Sequence, residues 1–489
     1  MINPKARRSR AMGSLKYDPR FGLDSHHSWM VAGFCSWFLF MGCIAQRVFG
    51  VVYVGILEEF GVTRQEASWP MNIIDLLASL SNPVFGYLCS RYSCRAVLLW
   101  CGLAGPLGVI LCYFAPNVIF IAVFYGMLNG ISISGTLTAI TVVLAQHFEK
   151  RRATAYSVVF TVSAFNTFLF PPLVELLLST YGLYGTFLVL GAICLHTFPP
   201  GIAITSPEWM KPSLNGKKQK AADAGNKCLP PEETELVAQR IEDHEENATC
   251  VKSRQTLNLD PSKEASVVLT ASNEEKCRAP SQATDRDNLR NFVTVRFWVD
   301  SLSFSVMYLA LSLFLTLAVD MAKDKGVSTM DAVFIFHAFS AGDVIFRGVS
   351  GVLLDSKFLS SDGVMLLGFI LQGVGIEILA FTASFPLLIV GSLVFGCGNG
   401  LRMPIAGVVL IGDFGLKALP IVFGGFALVC GLNVWTRAPL IGYFRDQRGT
   451  YDGVLHVLGV CSFACVAVWA VRICLKRWRT TRLPATSAK

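Results

Sequence analysis

Residues 69–115 read WPMNIIDLLASLSNPVFGYLCS, RYSCR, AVLLWCGLAGPLGVILCYFA, and this stretch decides the fold. Two apolar runs, 69–90 and 96–115, are joined by a short turn that carries Arg91 and Arg95. Each run has the roughly 20 apolar residues that an α-helix needs to cross a bilayer. The basic turn predicts that the chain crosses, turns on the cytoplasmic side and returns.

The same pattern extends along the chain in both directions. Six apolar runs precede a long polar stretch and six follow it, which predicts an all-α membrane protein with twelve transmembrane helices in two six-helix bundles. Glycine and other small residues recur inside the runs, as close packing of helices in lipid requires. The runs are 29–50, 69–90, 96–115, 118–146, 154–178 and 183–204, then 293–319, 330–354, 363–382, 386–411, 419–444 and 452–474.

The polar segments set the predicted domain boundaries. Residues 211–290 contain 13 basic and 14 acidic residues with few aromatics, which is the composition of a disordered linker. The predicted parts are a cytoplasmic N-terminal tail 1–28, an N-terminal six-helix bundle 29–204, a disordered cytoplasmic linker 205–291, a C-terminal six-helix bundle 292–474 and a cytoplasmic C-terminal tail 475–489.

The net charge of +8 indicates orientation in the membrane. Residues 1–20 carry six basic residues and one acid, and residues 472–489 carry six basic residues and no acid. Lys150, Arg151 and Arg152 add a basic cluster between the fourth and fifth runs. By the positive-inside rule both termini are predicted to be cytoplasmic, and we expect the plasma membrane as the location. Because the positive charge sits on short tails, no nucleic-acid partner is expected.

The sequence shows no pattern typical of catalysis or metal binding. The 15 cysteines include no Cys-x-x-Cys pair and no cluster with histidine at zinc spacing. The chain also lacks Gly-x-Ser-x-Gly and the Gly-x-x-x-x-Gly-Lys-Ser/Thr phosphate loop. We therefore expect no enzyme activity, no metal and no cofactor. Transport driven by gradients remains the plausible activity.

Charged residues inside the runs are the best candidates for function, because a charge near the bilayer centre costs roughly 2.5 kcal/mol or more. Asp343 and Arg347 are four residues apart in the eighth run and therefore share a helical face. One interpretation is a self-neutralising pair that joins neighbouring helices. The interpretation we favour is a carboxylate that takes up a proton beside a guanidinium that holds a carboxylate ligand.

Other intramembrane charges are weaker candidates. Arg47 lies deep in the first run with no acid within a turn, so we predict that it faces a central aqueous path; the alternative is a partner acid on another helix. Arg296 and Asp300 repeat the spacing of four near the cytoplasmic end of the seventh run, which predicts a structural or gating salt bridge. Further candidates for a ligand site or a gate are Asp75, Glu377, Arg402 and Arg437.

Local motifs resemble the major facilitator superfamily. Residues 86–95 (GYLCSRYSCR) are similar to its signature between spans two and three, Gly-x-Leu-x-Asp-Arg-x-Gly-x-Arg, with Ser90 in place of the aspartate. Residues 351–357 (GVLLDSK) repeat the motif in the second half. The resemblance implies the major facilitator fold, and it implies that Arg91, Arg95 and Asp355 are gating or structural charges.

Further motifs resemble the monocarboxylate transporter family within that superfamily. Residues 24–31 (DSHHSWMV) occupy the place of its opening Asp-Gly-Gly-Trp-Gly-Trp-Val-Val and keep the aspartate and the last tryptophan. Residues 148–152 (FEKRR) resemble its Tyr/Phe-x-Lys-Arg-Arg motif before span five. Residues 438–446 (APLIGYFRD) resemble its Pro-Pro-x-x-Gly-x-x-x-Asp stretch after span eleven. Together these motifs cover both halves of the chain.

The resemblance implies roles for three of the intramembrane charges. Proton-coupled members carry Asp-x-x-x-Arg in span eight, matched here by Asp343 and Arg347. They also carry a lysine in span one, whose place Arg47 takes. Arg347 and Arg47 are thus implied to bind the substrate, and Asp343 to couple the proton. Because arginine does not release its proton, Arg47 suits the role of a fixed positive charge.

We expect a secondary active transporter of small organic anions (monocarboxylates), coupled to protons and working by alternating access. One alternative is a proton-independent facilitator of aromatic amino acids or other larger solutes, which the resembled family also contains. Another alternative is a non-transporting membrane receptor or scaffold that signals through the linker. The expected partners are the anion, the proton and the lipid bilayer. Some members of the resembled family also have a single-pass ancillary membrane protein.

Overall fold

The computed structural model describes residues 22–204 and 290–482, apart from residues 442 and 445–447. Nearly all of the predicted linker 205–291 lies outside these residues, as do most of the N-terminal tail and the end of the C-terminal tail. The disorder predicted for the linker therefore stays a prediction.

The described part of the chain is built from helices and contains no β-strand. Ten helices there are long and apolar enough to cross a membrane. One of them, Arg152–Ala203, turns at Gly182, whose φ of 67° lies in the left-handed region, so it supplies two spans. Thr329–Asp355 is not among the ten, but its 27 residues extend about 40 Å, which also suffices to cross a bilayer. The predicted architecture of twelve transmembrane helices is confirmed.

We number the spans α1–α12 in chain order. The first half consists of α1 His26–Phe60, α2 Trp69–Arg91, α3 Cys94–Phe114, α4 Val118–His147, α5 152–181 and α6 183–203. The second half consists of α7 Val295–Asp324, α8 Thr329–Asp355, α9 Ser361–Phe381, α10 Phe385–Phe414, α11 Leu419–Ile441 and α12 Asp452–Arg482.

Polar side chains fix the starts of six spans. Each accepts a hydrogen bond from a backbone N–H group in the first turn of its helix, which satisfies a donor that the helix itself leaves unpaired. Such a cap stabilises a helix by roughly 0.5–2 kcal/mol. The capping residues are Ser25 (α1), Ser93 (α3), Asn117 (α4), Thr294 (α7), Ser328 (α8) and Ser360 (α9).

Several spans are interrupted along their length, among them α1 and α11. α1 consists of His26–Gly42 and Ile44–Phe60, which are separated at Cys43. α11 is interrupted after Gly431. Interrupted backbone at membrane depth is tolerated where it is buried in protein or lines a cavity. The break at Cys43 lies about one turn before Arg47, so a candidate residue follows an irregular segment directly.

The two halves pack against each other through α2 with α11 and through α5 with α8. A side-chain carbon at Gly424 would lie 2.7 Å from the Asn82 carbonyl oxygen, and one at Gly351 would lie 2.6 Å from the Ala153 carbonyl oxygen. These close approaches therefore depend on glycine. Both lie toward the end of the bundle where α1 begins and α12 ends, which we call the terminal end; the other is the opposite end.

Candidate functional site

Asp343 and Arg347 form an ion pair inside the second half. They lie one turn apart on α8, and Arg347 Nη2 is 2.6 Å from Asp343 Oδ2. Both residues are buried, with 6% and 3% of their surface exposed. Removing one partner of a buried pair typically costs about 3–5 kcal/mol, because the other charge is left uncompensated. The pair therefore stays closed unless a proton or another ion replaces one partner.

Asn399 of α10 is the second partner of the Asp343 carboxylate. Its Nδ2 donates a 2.7 Å hydrogen bond to Asp343 Oδ1, so Arg347 and Asn399 each hold one carboxylate oxygen. α10 comes this close because side-chain carbons at Gly396 and Gly400 would contact the backbone of α8. We did not identify Asn399 from the sequence. The sequence feature that could have indicated it is the Gly-Asn-Gly segment 398–400. Its glycines place the amide of Asn399 on a helix surface that another backbone can approach closely.

Arg47 extends from the first half toward this pair. It lies in the middle of an apolar span, yet its side chain is exposed. It is within electrostatic range of Arg347 and Asp343, and Cys43 lies beside it. Because it interacts with a pair on the other half, Arg47 faces the second half of the molecule. The structure therefore brings together all three residues that the sequence placed at the substrate and proton site.

The arrangement combines two cations and one carboxylate, with a net charge of +1 when Asp343 is ionised. Protonation of Asp343 would raise the net charge to +2, and a singly charged organic anion would return it to +1. A proton on Asp343 would release the Arg347 guanidinium, whose planar fork suits a carboxylate. Tyr308 of α7 is also within electrostatic range of Arg347 and adds a hydroxyl from a fourth helix, after α1, α8 and α10. The site can therefore bind an anion and a proton in mutually dependent steps.

Asp355 joins the two halves at the terminal end. Its carboxylate accepts hydrogen bonds from the backbone N–H groups of Ala153 (3.3 Å) and Thr154 (2.7 Å), at the start of α5. Four residues earlier on α8, Gly351 allows close contact with the same turn of α5. A carboxylate at a helix N-terminus also interacts favourably with the helix dipole. The contact therefore holds α8 of the second half to α5 of the first.

Ser90 is the position of the first half that corresponds to Asp355, and its side chain makes no such contact with the other half in the described residues. Ser90 donates to the carbonyl oxygen of Tyr87 in its own helix, at 2.7 Å. Arg91 lies over the Tyr87 ring, 5.6 Å from its centroid. Arg95 is half-buried, and its Nε has no hydrogen-bond partner in the described part of the chain. Arg91 and Arg95 are thus at the terminal end but separate from the Asp343 site.

The expected partnership between Arg296 and Asp300 is corrected by the structure. Asp300 is fully buried and pairs with Arg472 of α12, whose Nη1 lies 2.8 Å from Asp300 Oδ1. Arg472 also pairs with Asp362 and Asp413. Arg296 is exposed instead. The physical reason is burial: Asp300 points into the bundle, where α12 supplies a cation, and Arg296 points out of it.

Asp75 and Arg437 connect α2 and α11 across the two halves. Arg437 Nη2 lies 2.8 Å from Asp75 Oδ2, and its Nη1 donates to Ser312 of α7 at 2.7 Å. Both charged side chains are partly buried, with 21% and 16% exposed. Asp75 lies in the first third of α2 and Arg437 near the end of α11, so the pair lies toward the opposite end.

Two further intramembrane charges have partners within the second half. Glu377 pairs with His456 at 2.8 Å. Arg402 is fully buried, lies 4.1 Å from the centroid of the Phe369 ring and donates to Gln372 Oε1. Neither contacts the Asp343 pair. Within the described residues, no group of three or more metal-ligating side chains is close enough to hold a metal ion.

The two sequence motifs at 24–31 and 148–152 meet in space. The Asp24 carboxylate accepts hydrogen bonds from the backbone N–H groups of Glu149, Lys150 and Arg151, at 2.9–3.2 Å. Trp29 also packs edge-on against Phe148, with ring centroids 5.0 Å apart. Asp24 adopts a positive φ of 54°, which an aspartate tolerates better than most residues. These motif residues therefore shape the loop between α4 and α5.

Comparison with known proteins gives consistent matches over nearly the whole chain. Residues 30–358 match the family model of the Major Facilitator Superfamily. The chain is 22% identical over 468 residues to monocarboxylate transporter 9 of Mus musculus, covering 90% of this chain and 91% of that protein. It is 23% identical over 469 residues to monocarboxylate transporter 12 of Rattus norvegicus, covering 94% and 88%.

The solved structures include a similar fold. The chain matches the proton:xylose symporter XylE bound to 6-bromo-6-deoxy-D-glucose with a TM-score of 0.60. The match covers 90% of this chain and 95% of that one, at 13% sequence identity. At that identity the similarity shows the fold alone.

Proposed function

The chain belongs to the major facilitator superfamily and, within it, to the monocarboxylate transporter family, and from this premise we propose that it carries monocarboxylates together with protons. It is a multi-pass membrane transporter and not an enzyme. We propose further that it works by alternating access between the two halves. We propose that the protein lies in the plasma membrane with both termini in the cytoplasm.

The observation that carries the proposal is the double hold on Asp343. Its carboxylate is bound by Arg347 at 2.6 Å and by Asn399 at 2.7 Å, and Arg47 lies within electrostatic range from the other half. When such a buried carboxylate takes up a proton, its cationic partner is released and can bind an anion. The proposed roles are substrate binding by Arg347 and Arg47, and proton coupling by Asp343.

The coupling follows from the cost of an unpaired buried charge. If the anion bound Arg347 while Asp343 stayed ionised, two carboxylates would compete for one guanidinium. If Asp343 were protonated without an anion, Arg347 would lose its partner, at roughly 3–5 kcal/mol. Binding both ligands avoids each penalty. One anion and one proton together add no net charge, so the net charge of the site is conserved in the loaded state.

Uptake by proteoliposomes tests this function. The purified protein would be reconstituted, and entry of radiolabelled pyruvate measured with and without an inward proton gradient. We expect the gradient to accelerate uptake, and we expect Asp343→Asn and Arg347→Gln to abolish the acceleration. Glu377→Gln is the matched control, because it removes a charge from a neighbouring span without touching the Asp343 pair. Undiminished gradient-driven uptake in both site variants would refute the assignment.

A second candidate function is favoured by Arg47. Since the Arg47 guanidinium keeps its charge at accessible pH, the side chain at position 47 does not release a proton. A proton-independent facilitator of aromatic amino acids or other larger solutes would fit that feature. A pH-sensitive dye inside the vesicles separates the two candidates. Luminal acidification that accompanies pyruvate entry supports proton coupling, and entry of labelled phenylalanine without acidification supports facilitation.

A further inference from the structure

A groove of about 580 Å³ lies between α7 and α12 at the terminal end. Three of its apolar lining residues, Val295, Val471 and Leu475, are 79%, 57% and 50% exposed. In a multi-pass membrane protein, apolar side chains that are exposed on a span contact lipid. The groove is therefore a feature of the lipid-facing surface, and it is separate from the Asp343 site inside the bundle. Its other apolar lining residues are Val299, Ala467 and Val468.

The same groove is lined by three cations and one acid. The cations are Arg296, Arg472 and Lys476, and the acid is Asp413. The lining carries a net charge of +2, which Asp300 and Asp362 offset from inside the bundle through their ion pairs with Arg472 and Lys476. Arg296 is exposed and belongs to none of the ion pairs described above. The Lys476 side chain is 56% exposed, although its Nζ pairs with Asp362 from the bundle side. Both cations can therefore meet an anion that arrives from the lipid.

Charge and apolar surface are arranged by depth. Arg296 lies in the first turn of α7, and Lys476 directly follows the apolar run of α12 that ends at Leu475. Val299 lies about one turn deeper than Arg296, and Val468 about two turns deeper than Lys476. Basic side chains thus lie at headgroup level, above an apolar channel at acyl-chain level. This layout matches an amphiphile whose anionic head is followed by a hydrocarbon chain.

We propose that the groove binds a phospholipid with an anionic headgroup. Its phosphate would lie between Arg296 and Lys476, with an acyl chain along Val299, Val468 and Val471. A zwitterionic phospholipid fits less well, because its terminal ammonium would lie beside the exposed cations Arg296 and Lys476. In the proposed topology this end faces the cytoplasmic leaflet, where anionic lipids are concentrated. The site does not depend on what the protein transports.

Such a lipid would contact the residue that holds four helices together. Arg472 of α12 pairs with Asp300 of α7, Asp362 of α9 and Asp413 of α10. The three carboxylates outnumber the two cations, Arg472 and Lys476, so the buried cluster is one positive charge short. Arg472 is therefore bound by carboxylates inside the bundle, and the lipid phosphate would be held by the exposed cations Arg296 and Lys476 instead.

Native mass spectrometry of the purified full chain tests the proposal. The protein would be titrated with phosphatidylglycerol or with phosphatidylcholine of the same acyl chains, and the first bound lipid quantified. We expect phosphatidylglycerol to bind about tenfold more tightly or better. Arg296→Gln should weaken phosphatidylglycerol binding about fivefold, as expected for one basic residue at the headgroup, and should leave phosphatidylcholine binding unchanged.

Two further variants separate the site from general effects. Lys417→Gln removes an exposed charge from the same end of the same half, outside the groove, and should leave the lipid preference intact. Val471→Trp fills the apolar channel and should weaken both lipids. Equal binding of the two lipids to the unaltered protein would overturn the proposal. So would a preference for phosphatidylglycerol that persists undiminished in Arg296→Gln.

Discussion

Asn399 of α10 donates a 2.7 Å hydrogen bond to the carboxylate of Asp343 on α8. Asn399 is fully buried, and its own Oδ1 has no partner among the described residues. The amide therefore satisfies Asp343 while one of its own atoms stays unsatisfied. Asn399 donates to the Asp343 carboxylate while its own Oδ1 stays without a hydrogen bond. The function proposed for Asp343 explains this arrangement better than packing does.

Replacing Asn399 by leucine should impair transport more than it impairs folding. The substitution conserves volume but leaves Asp343 Oδ1 buried without a donor, which costs roughly 1–3 kcal/mol. We expect gradient-driven pyruvate uptake to fall at least tenfold per folded molecule. Asn433→Leu is the matched control, since Asn433 donates to the Ser305 carbonyl oxygen on another pair of helices. Equal losses in the two variants would argue against a special role for Asn399.

Arg47 should be replaceable by lysine but not by glutamine. If it acts as a fixed positive charge, Arg47→Lys keeps the charge and should leave the KM for pyruvate within about threefold. Arg47→Gln removes the charge and should raise the KM about tenfold, which corresponds to about 1.4 kcal/mol of anion binding. Initial rates of uptake at a fixed proton gradient measure both. An unchanged KM in Arg47→Gln would place Arg47 outside the substrate path.

The contact between Asp355 and α5 should stabilise the closed terminal end. Asp355→Asn keeps the shape but loses the charge at the helix N-terminus, so we expect a loss of roughly 0.3–1 kcal/mol in stability. A lower Tm in detergent, compared with Ser356→Ala as a control on the same turn, would show it. Equal Tm values for the two variants would contradict the prediction.

Ser90→Asp should create the missing counterpart of that contact. Ser90 lies one turn after Gly86, which contacts the Pro420 carbonyl oxygen in the first turn of α11. α11 starts without a side-chain cap at Ala418. A carboxylate at position 90 would supply one, so we expect a higher Tm and slower uptake, because closure at the terminal end is favoured. Faster uptake at an unchanged Tm would be the opposite outcome.

Asp75 and Arg437 should be interchangeable as a pair. They form an ion pair between the two halves toward the opposite end, so each single reversal, Asp75→Arg or Arg437→Asp, places like charges together. We expect each to slow uptake several-fold, and the double reversal to recover most of the rate. The coupling energy expected for a contacting pair is about 0.5–3 kcal/mol. Additive losses in the double variant would mean that the contact has no part in transport.

The sequence was informative where the physics is local. Hydropathy predicted the twelve spans, because a membrane span must be apolar over about 20 residues. Spacing along one helix placed Asp343 beside Arg347. Partners from distant helices could not be predicted this way. Asp300 was expected to pair with Arg296, yet its cation is Arg472, which lies 172 residues away in the chain.

Asn399 shows the same limit at the candidate site. An asparagine among glycines is compatible with many roles, and only the packing of α10 on α8 brings its amide to Asp343. By contrast, the motif at 24–31 could be located by resemblance. Its contact with residues 149–151 still required the fold, since it joins parts of the chain more than 120 residues apart.

Two carboxylates, one from each half, accept hydrogen bonds from backbone N–H groups at and just before the start of α5. Asp24 binds the N–H groups of residues 149–151 from within the first half, and Asp355 binds those of residues 153 and 154 from the second half. If the halves separate at the terminal end in the proposed alternating access, the hydrogen bonds of Asp355 would be lost and those of Asp24 would persist. The loop before α5 then keeps its shape and stands ready to re-engage. Asp24 thus makes a permanent contact within the first half, and Asp355 makes a reversible contact between the two halves.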